Sequence, residues 1–345
     1  MISIDDLEIF ILTYNRSSFL TRALDSFLNQ VAGLPLITVM DNCSTDDTEI
    51  VVKSFQEKSS NIRYYKHSKN VGGIGNLERA RLLANKKYVC FFHDDDVAHP
   101  QFLQVVLELL NKHDNVDLIC TTSTTFTSEE QIIFSDIFSV DYCFFSNKKI
   151  FTEYVYSSPF FITIPSKSLC YPNVIYKTEN IRKSQINYDI GGKSCDGPIV
   201  ISSLRNGSCI QIRNDNIFFY RLHSGQDSVS KRNDPNVRQI INYMKFFKKK
   251  LSCDLKSRVI FGLYSYKWLK KFYYYGNNPN TKDCWEDFVR VCKGESLIHF
   301  YDWIPFSYIV KIIFRIFFEN FFISPQKLEI KLSSRFLIHT NKLDK

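Results

Sequence analysis

Short apolar runs alternate with stretches of helical periodicity through the first 120 residues. Residues 8–13 are apolar up to Tyr14-Asn15, and Phe19, Leu20, Ala23, Leu24, Phe27 and Leu28 then recur at helical spacing behind the possible caps Ser17 and Ser18. The next strand is expected at 36–40. Ser44-Thr45-Asp46 then offers capping side chains to a helix carrying Ile50, Val51 and Phe55. A strand at 62–66 leads into the glycine-bearing turn NVGGIGN at 70–76 and a helix with Leu77, Ala80 and Ala84 inward. Tyr88 to Phe92 reads as a strand, Pro100 opens a helix through Leu110, and Val116 to Cys120 is a further strand. Successive βα units of this kind predict an α/β domain built on a doubly wound, mostly parallel sheet flanked by helices. From 121 to 185 few elements can be placed. Asp196-Gly197-Pro198 introduces a helix at 199–205, strands follow at 208–212 and Ile217 to Tyr220, and beyond 232 the chain reads as a helical, aromatic and basic C-terminal extension. The expected division is 1–232 for the catalytic domain and 233–345 for the extension. The chain has no internal repeat.

The polar residues fall where this pattern makes them matter. FILTYN at 10–15, ITVMDN at 37–42 and YVCFFHDDD at 88–96 each end in acidic or polar side chains, which a parallel sheet gathers along its carboxyl edge, where open α/β sheets bind ligands. Asp94, Asp95 and Asp96 at one strand end repel one another, and a divalent cation, Mg²⁺ or Mn²⁺, among them would relieve that and bridge the phosphates of a nucleotide. The competing reading is a solvated acidic turn capping the helix after Pro100. His93 fits a site residue or a packing residue equally. In KNVGGIGNLERA at 69–80, glycines allow close backbone approach, and a helix starting near Ile74 would aim amides at phosphate. As a dinucleotide fingerprint it fails, since Glu78 stands where a third glycine is needed.

Charge and cysteine usage narrow the class. The 345 residues carry a formal net charge of +8, weighted to the second half in runs such as KFFKKK at 245–250 and KWLKK at 267–271, while the first 120 residues are close to balanced. Because the lysines are interleaved with Phe, Tyr and Ile, an anionic membrane surface is the expected partner and nucleic acid is not; a solvated helix face is the alternative. Ten cysteines at irregular intervals, with no Cys-x-x-Cys pair and no matching His spacing, argue against a disulfide framework and a structural zinc site. The acidic start MISIDDLEIF lacks the basic-then-apolar order of a secretory signal, which points to the cytoplasm.

Taken together, ILTYNRSSFLTRALDSFLNQ at 11–30, VMDNCSTDDT at 39–48 and HDDD with Pro100 resemble the family 2 glycosyltransferases, inverting enzymes of GT-A fold, over about residues 7 to 225. KNVGGIGNLERA matches a pattern of O-antigen-type members. The resemblance implies that Thr13 and Tyr14 lie against base and ribose and that Asp41 and Asn42 hydrogen-bond the base, with Asn42 standing where many members have a second acid. It also assigns Asn15, Arg16, Asn76, Arg79, Asp94 and Asp95 to the nucleotide sugar. Asn15 and Ser44 could instead serve only as turn and cap residues, and Arg79 could pair with an acid.

Asp95 and Asp96 are implied as metal ligands and His223, within YRLHSGQDSVS at 220–230, as a third metal ligand or a diphosphate contact, with Arg221 as a counter-charge. Asp196 in GGKSCDGP is the implied catalytic base, against a cap-only reading, with Asp189 in reserve. Between Ile304 and Ile323, Lys311, Arg315 and Glu319 form one polar stripe, the mark of a helix lying on a membrane rather than crossing it, although burial against the domain or a dimer contact would also fit.

The reading that follows is an inverting, metal-dependent transferase peripheral to the inner face of the cell membrane, acting on a lipid-linked glycan in surface polysaccharide synthesis. The alternatives are a nucleotidyltransferase acting on a sugar phosphate, whose phosphate loop would replace TYNRSSF, and a non-catalytic nucleotide-sugar-binding protein at the membrane.

Overall fold

The first half of the chain folds as the apolar pattern predicts, because its strands are buried on both faces. The computed structural model describes residues 1–148, 151, 170–184, 186–192, 195–205, 207–214, 216–226, 239, 242, 243, 245, 246, 249 and 339–343. Strand β1 (Leu7–Thr13) leads to helix α1 (Ser17–Leu28), β2 (Leu36–Asp41), α2 (Thr48–Lys58), β3 (Ile62–Lys66), α3 (Gly72–Leu83) and β4 (Tyr88–His93). Then come the short β5 (Val97–Ala98), α4 (Phe102–Lys112), β6 (Val116–Thr121), β7 (Thr124–Phe126), β8 (Val140–Phe145) and β9 (Cys170–Lys177). Helices α5 (Thr178–Arg182) and α6 (Asp196–Ser203), then β10 (Ser208–Ile212), β11 (Phe218–Arg221) and β12 (His339–Leu343), complete the described elements.

Nine of these strands form one sheet in the order β12-β8-β10-β6-β9-β4-β1-β2-β3. Alternation along β1 sends Ile9 and Ile11 to a core with Leu20, Leu24 and Phe27 of α1 and Phe102, Val106 and Leu109 of α4. Phe10 faces the other way, with Phe91 of β4, Ala80 of α3, and Ile199 and Val200 of α6. Both faces are therefore covered.

Four departures from the sequence reading have physical causes. The sheet is mixed rather than mostly parallel, since β9 runs antiparallel to both of its neighbours, β4 and β6. The glycines at 72–75 are the opening turns of α3 and not a turn before it. Gly72 adopts φ +76°, and its amide donates to Asn70 Oδ1 at 2.8 Å, so Asn70 starts the helix two residues early. In α2, Ile50 points outward at 67% exposure, while Val52 and Phe55 take the core positions. The last described segment, 339–343, is a strand antiparallel to β8 rather than part of a helix. The helix expected at 304–323, the run at 267–271 and the boundary at 232 lie outside the described residues.

A second sheet, β5-β11-β7, follows directly on the acidic strand end. Pairing of Phe219 with Val97 brings β11 back across the chain from a distance of more than 100 residues. That return delivers Arg221 and His223 to the carboxyl edge.

Candidate active site

Strand register fixes the site. Thr13 pairs with Asp41, and Leu12 with His93, so the ends of β1, β2 and β4 lie side by side and Asp94 to Asp96 follow at the same edge. The turns leaving β1 and β2 hold non-glycine residues in the left-handed region, Asn15 at φ 52° and Cys43 at φ 69°. Their mutual bonds sustain that conformation: the Asn15 amide donates to Ser44 Oγ at 2.9 Å, and Asn15 Oδ1 accepts from the Thr45 amide at 2.8 Å. Asn15 and Ser44 thus lock two strand-end turns together.

Asp94, Asp95 and Asp96 are 2%, 3% and 0% exposed, which makes them a buried cluster rather than a solvated acidic turn. Burial, then the neighbouring Asp95 charge, pushes Asp94 up to about 7 against the pull of Arg16. Burial and Asp95 also hold Asp96 well above the usual carboxylate range. Three side chains from α1 and the β11 end meet the cluster. Arg16 Nη1 reaches Asp94 Oδ1 at 3.2 Å and Asp95 Oδ2 at 3.1 Å, and His223 Nε2 lies 2.9 Å from Asp95 Oδ2. The Arg221 amide donates to Asp96 Oδ1 at 3.0 Å, and its Nε donates to the Asp95 carbonyl at 2.8 Å.

Arg221, the expected counter-charge, lies against the acids and also acts as a bolt. Its guanidinium pairs with Glu129 and lies between the Phe19 and Phe126 rings, 4.7 and 4.4 Å from their centroids. The Phe19 ring also meets His223 at 4.8 Å, so α1 and the β11 end grip each other over the acids.

Two buried oxygens in the cluster, Asp95 Oδ1 and Asp96 Oδ2, have no hydrogen-bond partner among the described residues. Unsatisfied buried carboxylate oxygens are costly and ask for a cation. His93, Asp95 and Asp96 each offer one ligand atom, and these atoms lie within 4.8 Å of one another, so the donor set suits a divalent metal. His93 thereby joins the expected set, while His223 enters as a hydrogen-bond partner of Asp95.

The residues expected on the nucleotide side sit along β1, β2 and α3. Asp41 Oδ2 accepts from the Tyr64 hydroxyl at 2.6 Å, and Oδ1 accepts from the Ser44 amide at 2.8 Å. Burial, then that carboxylate, raises the Tyr64 phenol above its ordinary range. Asn42 Oδ1 accepts from the Val71 amide, and its Nδ2 donates to Asn70 Oδ1, fastening the start of α3 to β2. Asn76 is 2% exposed, bonded to the Met40 carbonyl and to His67, and is engaged as a brace. Arg79 is exposed and stands over the Tyr65 ring at 5.3 Å. Thr13 is buried at the end of β1, and Tyr14 is 43% exposed with its amide 3.4 Å from Asp94 Oδ2.

Asp196 is the first residue of α6, whose cap position is Cys195, without a side-chain capping bond. Helix α6 ends at Ser203, just before β10 enters the sheet at the edge opposite the acids, so its first residue lies at the end nearer the carboxyl edge. Burial pushes the Asp196 carboxyl up to about 6, a value suited to accepting a proton near neutrality. Reserve candidate Asp189 is exposed. Tyr64 and Glu129 were not singled out from the sequence. Tyr64 sits on an alternating strand, which gives a weak signal, and Glu129 lies in the segment where periodicity gives none.

Residues 8–169 match the profile Glycosyl transferase family 2. The chain carries a family 2 glycosyltransferase domain. A glycosyltransferase of Methanocaldococcus jannaschii is 26% identical to this domain over 115 residues, covering 33% of this chain and 40% of that protein. The Campylobacter jejuni GalNAc(5)-diNAcBac-PP-undecaprenol beta-1,3-glucosyltransferase is 30% identical over 107 residues, covering 31% and 35%. Thus the chain spans 40% or less of the length of these curated relatives. Staphylococcus aureus TarS 1-349, solved in complex with UDP-GlcNAc, superposes with a TM-score of 0.58 at 16% identity over 82% of this chain and 79% of that one. The glycosyltransferase domain therefore has the GT-A fold.

Proposed function

We propose that this protein is an inverting, metal-dependent glycosyltransferase that moves a sugar from a nucleoside-diphosphate donor to a hydroxyl of a lipid-linked glycan, in surface polysaccharide synthesis of the O-antigen or capsule kind, at the cytoplasmic face of the membrane. The observation that carries the donor half is the pair of buried oxygens on Asp95 and Asp96, at the carboxyl edge, that lack a hydrogen-bond partner among the described residues. A divalent ion there, Mg²⁺ or Mn²⁺, would neutralise charge on the leaving diphosphate. Around it Thr13, Tyr14, Asp41 and Asn42 hold the nucleoside, and Arg16 grips the phosphates. Asp196 takes the acceptor proton as the acceptor oxygen bonds to the anomeric carbon and the carbon–oxygen bond to the nucleoside diphosphate breaks on the opposite face, which inverts the centre. The lipid-linked acceptor is supported by the undecaprenol-linked substrate in the name of the Campylobacter relative.

The test is thermal stabilisation by a panel of nucleoside diphosphates and nucleotide sugars, UDP-GlcNAc first, with and without Mn²⁺, on wild type and Asp95→Ala. One nucleotide should raise the midpoint only with metal, and the variant should lose that response. A wild type that no member of the panel shifts would overturn the donor site.

A further inference from the structure

Buried carboxylates need a counter-charge whether or not a metal is present, and in this chain Arg16 supplies it. Its Nη1 spans Asp94 Oδ1 and Asp95 Oδ2 at 3.2 and 3.1 Å, and its Nη2 donates to the Gly225 carbonyl at 2.8 Å. The same Asp95 oxygen is held by His223 at 2.9 Å, so one carboxylate atom anchors both the arginine and the 222–226 turn. Resting on the proposed donor site, we infer that Arg16 is a place-holding cation: a divalent ion at Asp95 and Asp96 displaces its guanidinium, frees it for the donor diphosphate and releases Gly225 from its tether.

Electrostatics and mobility both favour that exchange. A divalent ion among these acids and a guanidinium 3.1 Å from Asp95 Oδ2 are like charges competing for the same carboxylates in a buried site, where their repulsion is weakly screened. Binding of the ion therefore weakens the hold on the guanidinium. The carboxylates are fixed at the strand end, whereas the Arg16 side chain is 28% exposed and sits at the N-cap of α1, so it can swing into solvent without moving the helix. The turn it leaves behind keeps its own bonds, His223 amide to Gln226 Oε1 at 3.2 Å and Gly225 amide to His223 Nδ1 at 3.2 Å. Arg16 is thus a positioning residue for the empty site and a ligand-binding one for the filled site.

The experiment is Mn²⁺ binding without nucleotide, read as loss of the free-ion electron paramagnetic resonance signal, on wild type, Arg16→Gln and Arg16→Lys. Removing a competing cation should tighten Mn²⁺ binding in Arg16→Gln by about 5- to 150-fold, the usual span of coupling between two ligands. Arg16→Lys, which cannot bridge two carboxylates in the same fork, should tighten it less. That variant keeps the charge and guards against a glutamine variant that fails to fold. In wild type, Mn²⁺ should also speed amide exchange across 222–226, whereas in Arg16→Gln the exchange should already be fast. Equal or weaker Mn²⁺ binding in both variants overturns the place-holder role while leaving the metal site standing. A wild type that takes up no Mn²⁺ overturns both.

Discussion

Asp196 couples stability to chemistry through one proton. Its carboxyl, near 3.8 in an unfolded chain, is raised to about 6 by burial, so the folded state binds that proton more tightly. The resulting stabilisation is complete below the unfolded value and is lost as pH rises through about 6; at neutral pH the ionised group costs stability. Asp196→Asn should therefore stabilise the fold near neutral pH by roughly 1–2 kcal/mol after discounting for partial exposure, read as a higher melting midpoint. The same variant should keep donor-induced stabilisation and lose turnover by about 10²- to 10⁴-fold. In wild type, kcat/KM should fall about tenfold per pH unit below the raised value, because a base must be ionised to accept a proton. An asparagine variant that turns over normally would remove Asp196 from the chemistry and leave a non-catalytic binding role for the site to be tested. Much of this site was legible in the sequence, since HDDD, TYN and DN are local runs whose placement needs only strand order. The partners were not. Tyr64 on Asp41 and Glu129 on Arg221 meet across 23 and 92 residues, and no spacing rule encodes such contacts.

Element placement depends on two turns that close over each other at the edge opposite the acids. Asp117 Oδ2 accepts from the amides of Arg205 and Gly207 at 2.8 and 2.9 Å, and its Oδ1 accepts from Asn180 Nδ2 at 2.7 Å. A Cβ on Gly207 would stand 2.2 Å from the Asn115 carbonyl and 2.5 Å from Asp117 Oδ1. Gly207→Ala must therefore push α6 and β10 away from β6, at a cost of about 1–3 kcal/mol from overpacking before any lost bonds to Asp117 are counted; urea unfolding measures it. Since α6 carries Asp196, turnover should fall more than donor binding does. Gly73→Ala is the contrasting case, because nothing lies within 4 Å of its Cβ and it sits in helix α3. It should stabilise by about 0.5–1 kcal/mol on helix propensity alone. Lost donor stabilisation in that variant would show instead that the α3 start does approach phosphate. The elements themselves were readable where burial on two faces makes an unbroken apolar run, as in β1, β2 and β4. Strands β8 and β9 were not, because β9 is specified by pairing with β4 and β6 far away in sequence and carries Pro172 within it.

Across the whole molecule the charges divide into an internal account and an external surplus. At the carboxyl edge Arg16, Arg221 and His223 are committed to the acids and to Glu129, so they add little to the outward field. The chain still holds 44 basic against 36 acidic residues, with dense runs at 245–250 and 267–271. Among the described residues no helix is long and apolar enough to cross a membrane. A lipid-linked acceptor presents its glycan at the membrane surface, and basic residues near an anionic leaflet contribute about 1 kcal/mol each. The protein should co-sediment with phosphatidylglycerol-containing vesicles and not with phosphatidylcholine alone. Replacing Lys248, Lys249 and Lys250 together with glutamine should weaken that binding by roughly 100-fold if all three face lipid. Salt raised from about 0.1 to 1 M should weaken it as well, because the Debye length falls from about 10 to 3 Å. Donor-induced stabilisation should be untouched by the lysine replacements, since none of the three lysines is among the donor-site residues. Vesicle binding that ignores both salt and the lysines would assign the contact to apolar surface. Absence of binding to either vesicle would leave the acceptor to approach the enzyme free of the bilayer, and would remove the lipid-linked class from the proposal.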